Sequence, residues 1–182
     1  MRIREATPED VPDLAEVHLR TWQGAYPGLM PQEFLDSRTA EEFIKRWSQI
    51  ISDQNATMRM TFVIDSGDRV VGFVSAGPCR DQGVDASTGE IRAIYVLPKF
   101  WNTGAGHALM ARGLDFLYDR CCTAATLWVL RDNARARRFY ERVGMTLDGA
   151  EKIDARLGFD MHEVRYRIEL PHQLPRIQDR HL

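Results

Sequence analysis

Apolar residues recur along this chain at two spacings, and the switches between them mark its elements. Residues 2–6, Arg-Ile-Arg-Glu-Ala, alternate and predict a short strand. Thr7-Pro8-Glu9-Asp10 opens a helix: Thr7 can cap, Pro8 suits the first helical position, and two acids face the positive helix start. Val11, Leu14, Ala15, His18, Trp22 and Ala25 follow at helical spacing until Pro27-Gly28. Residues 31–35 suit a helical turn. Thr39 with Glu42 makes a capping box, and Phe43, Ile44, Trp47, Ile50 and Ile51 form the stripe of the next helix.

The period then falls to two. Residues 61–64 and 69–74 are β-rich runs flanking Asp65-Ser66-Gly67-Asp68, a hairpin pattern. Residues 78–89 read as loop. The run 90–96 is a strand with Ile91 and Tyr95 on one face and Ile94 and Val96 on the other, ended by Pro98. After Gly104-Ala105-Gly106, a helix runs to about Arg120 on a face of Leu109, Met110, Gly113, Leu114 and Leu117. Residues 125–130 are nearly all apolar, as in a buried strand. Asn133 can cap a helix striped by Ala136, Phe139, Tyr140 and Val143 and stopped by Gly144. Strands follow from Met145 and over 163–170. The order β-α-α-β-β-β-α-β-α-β-β predicts an α/β (α+β) fold: a mixed, partly antiparallel sheet of six to seven strands with helices on both faces. We read 1–170 as one domain and 171–182, polar and proline-containing, as a flexible C-terminal tail.

Composition narrows the class. The chain has 182 residues, 44% of them apolar and 27% charged, enough for one core without staples. A net charge of −2 gives no global attraction to nucleic acid. Cys79, Cys121 and Cys122 are odd in number, lack zinc-site spacing and suit free thiols, so no metal is expected. No apolar run nears the ~20 residues of a membrane span, and the start lacks a signal-peptide pattern, so the expected place is the cytoplasm, with no membrane partner.

Gly104-Ala105-Gly106 between a strand and a helix permits a tight bend and close approach of an anion to unpaired N–H groups. The same glycines also suit a tightly packed turn. A dinucleotide fingerprint would need glycine where Leu109 stands, and the Gly-Lys-Ser/Thr ending of a Walker loop is absent. The run Glu90-Ile91-Arg92-Ala93-Ile94-Tyr95-Val96-Leu97-Pro98, with Trp101, Gly104 and Gly106 following, resembles the acetyl-CoA motif of GNAT-type N-acetyltransferases. Asn133, Ala136, Phe139, Tyr140 and Gly144 resemble the family's next motif, and 3–35, with Trp22 and Tyr26, a common bacterial start. Trp101 departs from the usual Gln or Arg, and Met145 from the usual Phe.

The resemblance implies a GNAT-like fold and transfer of the acetyl group of acetyl-CoA to a primary amine of a small molecule. It implies Glu90 as base, often through water, and Tyr140 as acid to the leaving thiolate. It places the pantetheine arm along the backbone of Ile94, Tyr95 and Val96, with the Val96 N–H toward the developing oxyanion. It gives Asn102, Thr103, Gly104, Ala105, Gly106 and His107 to the pyrophosphate and Asn133 to the pantetheine. Residue by residue the alternatives stay open. Glu90 reads equally as a solvated strand-edge acid, Tyr140 as a core ring, Asn133 as a plain cap, and Trp22 and Tyr26 as pocket or core. Arg135, Arg137 and Arg138 read as a solvated helix face, with one of them near the coenzyme's 3′-phosphate. Asp81, Asp85, Asp148, Glu151, Asp154 and Asp160 are either soluble loops or an acidic rim for a cationic amine. Rival readings are a protein or peptide amine acceptor, a silent CoA-binding regulatory domain, and a nucleotide module. A homodimer is the family-level expectation.

Overall fold

The computed structural model describes residues 1–54, 56–67 and 69–170. The expected tail at 171–182 lies outside the described residues, as do Asn55 and Asp68. In chain order the elements are β1 (Arg2–Glu5), α1 (Val11–Ala25), α2 (Gln32–Asp36), α3 (Ala40–Asp53), β2 (Met60–Ser66), β3 (Arg69–Pro78) and β4 (Thr88–Val96), then α4 (Ala105–Asp119), β5 (Ala124–Leu130), α5 (Ala134–Val143), β6 (Thr146–Asp154) and β7 (Met161–Glu169). This is the expected order, with the turn expected at 31–35 formed as the short helix α2. The strands make one seven-stranded sheet, β1-β2-β3-β4-β5-β7-β6, antiparallel except where β4 meets β5.

Period-two burial feeds two cores, one on each face. Phe62 and Ile64 of β2 pack with Leu109, Leu114 and Tyr140 of α4 and α5. Val63 between them packs with Leu14, Phe43 and Trp47 of α1 and α3. The Thr39–Glu42 box starts α3 as expected. Just before α1, Thr7 and Asp10 make a second box around the turn Pro8–Asp10: the Asp10 carboxylate, held by Arg4, accepts the Thr7 N–H at 2.8 Å.

Two features depart from the simple alternation. Opposite the Ser75–Ala76 step of β3, Ser75 pairs with Ala93 and Ala76 with Ile91, leaving Arg92 as the extra residue of a bulge. The bulge shifts the phase, so Ile91 joins Ile94 and Val96 in one core while Tyr95 packs with the other. The expected pairing of Ile91 with Tyr95 is therefore corrected. The second departure follows the first. β4 pairs with β5 only at Thr88–Ala124, Gly89–Ala125 and Glu90–Thr126, whereas β5 stays paired with β7 along its whole length. From the bulge onward the two parallel strands splay, opening a cleft in mid-sheet.

A buried titratable group lies beneath the sheet on α1. His18 is ringed by Trp22, Phe43, Trp47 and Tyr95, and Trp47 Nε1 donates to its Nδ1 at 3.2 Å. Burial first, then the charges of Arg46 and Arg59, hold its pKa well below the usual 6.5. The imidazole is neutral in the fold and gains a proton on unfolding in acid. Its stabilising contribution is complete above about pH 6.5 and is lost as pH falls below that, by up to about 1.4 kcal/mol per pH unit. The melting temperature is expected to drop between about pH 6.5 and 5, and His18→Phe to flatten that slope. Equal slopes in both proteins would acquit His18.

Candidate active site

The splay sets main-chain groups facing a gap. Leu97 N–H bonds the Val71 carbonyl, and Val96 stands opposite Gly72. In antiparallel pairing this makes Val96 and Gly72 a pair without mutual hydrogen bonds, so Val96 directs its N–H and C=O away from β3. Ile94, two residues earlier, does the same. Past Glu90 no β5 residue pairs with them, and an extended ligand can take that place. The Val96 carbonyl is already engaged: the Trp101 indole donates to it at 2.7 Å.

At the end of β4 the chain bends. Asn102 takes a φ of 63° and Gly104 a φ of 90°, the second a conformation that favours glycine. The first main-chain bond of α4 runs from the Ala108 N–H to the Gly104 carbonyl, at 3.0 Å. The N–H groups of Ala105, Gly106 and His107 precede it and have no partner within the helix. With the helix dipole, such groups are able to seat an anion. A Cβ on Gly106 would lie 3.4 Å from the Phe139 ring, so this glycine lets α4 and α5 close up.

The expected site residues fall as follows. Asn102, Gly104, Gly106, His107, Asn133, Glu90, Tyr140, Trp22 and Tyr26 all line one cleft of about 520 Å³, together with Ile94, Tyr95 and Val96. Thr103 turns its hydroxyl to the Phe100 carbonyl, and the Ala105 methyl sits in the core, so these two offer main-chain groups only. Asn133 caps α5, accepting the Ala136 N–H at 3.0 Å. Tyr140 is both core ring and cleft wall. Burial pushes its phenol pKa up, so it is protonated at neutral pH. Its hydroxyl makes no hydrogen bond among the described residues. Tyr26 and Tyr95 set their hydroxyls 3.4 Å apart, and burial raises Tyr26 too. Glu90 is no solvated edge residue: it is 2% exposed. Both its oxygens accept from Arg80, Oε2 from Nε at 2.8 Å and from the main-chain N–H at 3.2 Å, Oε1 from a terminal guanidinium nitrogen.

The comparisons with known proteins fit this geometry. The family described as Acetyltransferase (GNAT) matches residues 12–145. The chain belongs to the GNAT family. Its relatives include an uncharacterized N-acetyltransferase, YuaI, of Bacillus subtilis, 34% identical over 132 residues, or 72% of each chain. Another, an uncharacterized N-acetyltransferase of Archaeoglobus fulgidus, is 32% identical over 141 residues, 77% of this chain and 89% of that one. Among solved structures, a PaiA N-acetyltransferase from Thermoplasma acidophilum in complex with coenzyme A shares the fold. Its TM-score is 0.75 at 19% identity, covering 92% of this chain and 98% of that one. As a GNAT acetyltransferase the chain is an acyltransferase, and its two motifs face each other across the splay.

One sequence reading is extended and one corrected in this GNAT chain. Arg135 is exposed, as a solvated face implies, yet it also lines the cleft. Its guanidinium stacks on the Trp101 ring at 3.2 Å from the centroid, inside the cleft, whereas Arg137 bonds the Tyr166 hydroxyl and the Arg131 carbonyl. The acidic residues assigned to the loop between the last strands lie, for Asp148, Glu151 and Asp154, on β6 itself. Most of these acids are engaged. Asp81 accepts from Trp128 and pairs with Arg165, which also holds Asp148; Glu151 pairs with Arg131 and Asp154 with Arg156. Residues the sequence reading passed over are the cations of the cleft, chiefly Arg46, Arg80 and Arg92. The one signal available was Arg92 two residues after Glu90, and simple alternation hides its aim because a bulge sets it.

Proposed function

We propose that this chain transfers the acetyl group of acetyl-CoA to a primary amine of a small molecule. The observation that carries the reading is the splay of β4 from β5. It leaves the N–H groups of Ile94 and Val96 free of β5, in the same cleft that the bend at 102–107 and Tyr140 line. Acetyl-CoA supplies the activated acyl group and a thiolate leaving group. That bend holds its pyrophosphate, with Arg135 adding positive charge beside it, and the β4 edge and Asn133 hold the arm. The Val96 N–H meets the charge that develops on the carbonyl oxygen. Tyr140, kept protonated by burial, donates to the departing sulfur. Glu90 takes the amine proton through water once one of its oxygens exchanges Arg80 for that water. Arg80 is half exposed and has room to turn outward.

A small acceptor is favoured over a protein by the aromatic and apolar side chains that crowd the cleft and its border. Phe34 of α2 meets Phe159 of the β6–β7 loop edge to face, with centroids 5.0 Å apart. Trp22, Tyr26, Met30, Leu157 and Met161 line the cleft, and Phe34 packs against Trp22 at its border. An extended polypeptide needs an open groove.

The test is release of free thiol from acetyl-CoA across amino acids, polyamines, aminoglycosides and peptides, with calorimetry of CoA binding alongside. Thiol release with a small amine is the expected result. Tight CoA binding with no release from any amine would make the chain a silent binder. Turnover of peptides alone would remove the small-molecule acceptor.

A further inference from the structure

The walls of the cleft around Glu90 carry more positive than negative charge. Three cations there are matched: Arg80 by Glu90, Lys152 by Glu163 and Arg156 by Asp154. Four are not: Arg135 and Arg142 of α5, Arg46 of α3 and Arg92 of β4 line the same cleft, and none forms an ion pair with any described residue. Of these, Arg46 and Arg92 stand near Arg80 and Arg59. Arg92 donates one terminal N–H to the Pro78 carbonyl at 2.8 Å, while its Nε is buried without a partner. Behind them Arg59 is equally without a carboxylate, its Nε donating to the Ser75 hydroxyl at 2.6 Å. Burial, then Arg92, Arg46 and Arg80, bring the Arg59 pKa down to about 10. Guanidinium groups therefore crowd one corner of the cleft with Glu90 as their single carboxylate.

Like charges gathered in a partly buried corner repel, and an unpaired buried donor costs free energy. A fold keeps such a corner where an anion enters it. The bulge on β4 turns Arg92 out of the strand's regular alternation, into the cleft and two residues from Glu90. The cation corner and the carboxylate expected to take the amine proton thus stand side by side.

We infer that the acceptor is a primary amine carrying its own oxyanion, a carboxylate or a phosphonate, seated on Arg92, Arg46 and Arg80 with its amine at Glu90. This rests on the acetyl-transfer reading above and specifies its acceptor. A polycation, by contrast, would bring its second charge against the unpaired arginines. The anion also offers Arg80 a new partner, which frees an oxygen of Glu90 when acceptor is present.

The test uses matched amines: an α-amino acid such as L-methionine, its carboxamide, the amine lacking the carboxylate, an aminoalkylphosphonate and spermidine. Thiol release gives kcat/KM for each, and calorimetry on the CoA-loaded chain gives each Kd. The carboxylate or phosphonate member is expected to exceed its uncharged counterpart on the order of 10- to 100-fold, as for charge-assisted hydrogen bonds. Arg92→Gln should shrink that ratio about tenfold or more, mostly through KM. Arg46→Gln, at an exposed position, should shrink it less and guards against misfolding of the first variant. Equal or better turnover of the carboxamide or spermidine overturns the inference and leaves acetyl transfer intact. Where no amine releases thiol, acetyl transfer fails, and the calorimetric ratio still decides the inference: tighter binding of the anionic member supports it, equal or weaker binding overturns it.

Discussion

Tyr140→Phe is expected to lower kcat by roughly 10²- to 10³-fold, the range of a positioned acid, while the Kd for acetyl-CoA moves less than about threefold. The asymmetry follows from where the phenol sits. Its ring belongs to the core formed with Val143, Tyr166 and Met145, and phenylalanine preserves that packing. Only the hydroxyl changes, and it has no hydrogen-bond partner among the described residues, so its loss leaves no buried group newly unsatisfied. The melting temperature should therefore hold or rise slightly. A variant that unfolds, or binds coenzyme poorly, would show that Tyr140 acts through packing. A variant that turns over at the wild-type rate would take the phenol out of the chemistry. A further readout separates acid from scaffold. A thioester with a better leaving group needs less help from a donor, so the penalty should narrow with such a substrate.

The fold was legible because its elements are locally consistent. The stripe of α1, the box at Thr39, the β-rich runs at 61–64 and 69–74 and the Gly144 stop each act within a few residues. The bend before α4 was legible for the same reason: Gly104, with φ of 90°, announces it. What the sequence hid depends on partners distant in the chain. The bulge that aims Arg92 exists only because β3 and β4 fall out of register at Ser75 and Ala76. Arg135 reads as one of three arginines on a polar face until Trp101, more than thirty positions away, is seen beneath it. Asp81 reads as a loop acid until Trp128 and Arg165 claim it. Glu90 was found by its motif, but its union with Arg80 needed the β3–β4 loop folded back over the strand.

That union shapes the second large effect. Glu90→Gln is expected to lower kcat/KM about 10²-fold near pH 7, with a deficit that shrinks as pH rises. At neutral pH fewer than about one alkylamine in a thousand is unprotonated, given an ammonium pKa near 10.4. A carboxylate that removes this proton serves the wild type across the neutral range. Without it the variant depends on amine that has lost its proton in solution, a fraction that grows about tenfold per pH unit below the amine's own pKa. The variant's log(kcat/KM) should climb with a slope near one where the wild type is flatter. Coenzyme affinity should not change, because Glu90 lies at the start of the splay and the bend at 102–107 past its far end. The glutamine is nearly isosteric and Arg80, half exposed, can turn to water, so the variant should stay folded with a lowered melting temperature. A parallel pair of pH profiles, displaced by a constant factor, would mean that Glu90 positions Arg80 or the acceptor and never takes the proton. Superimposed profiles would mean that solvent alone carries it away.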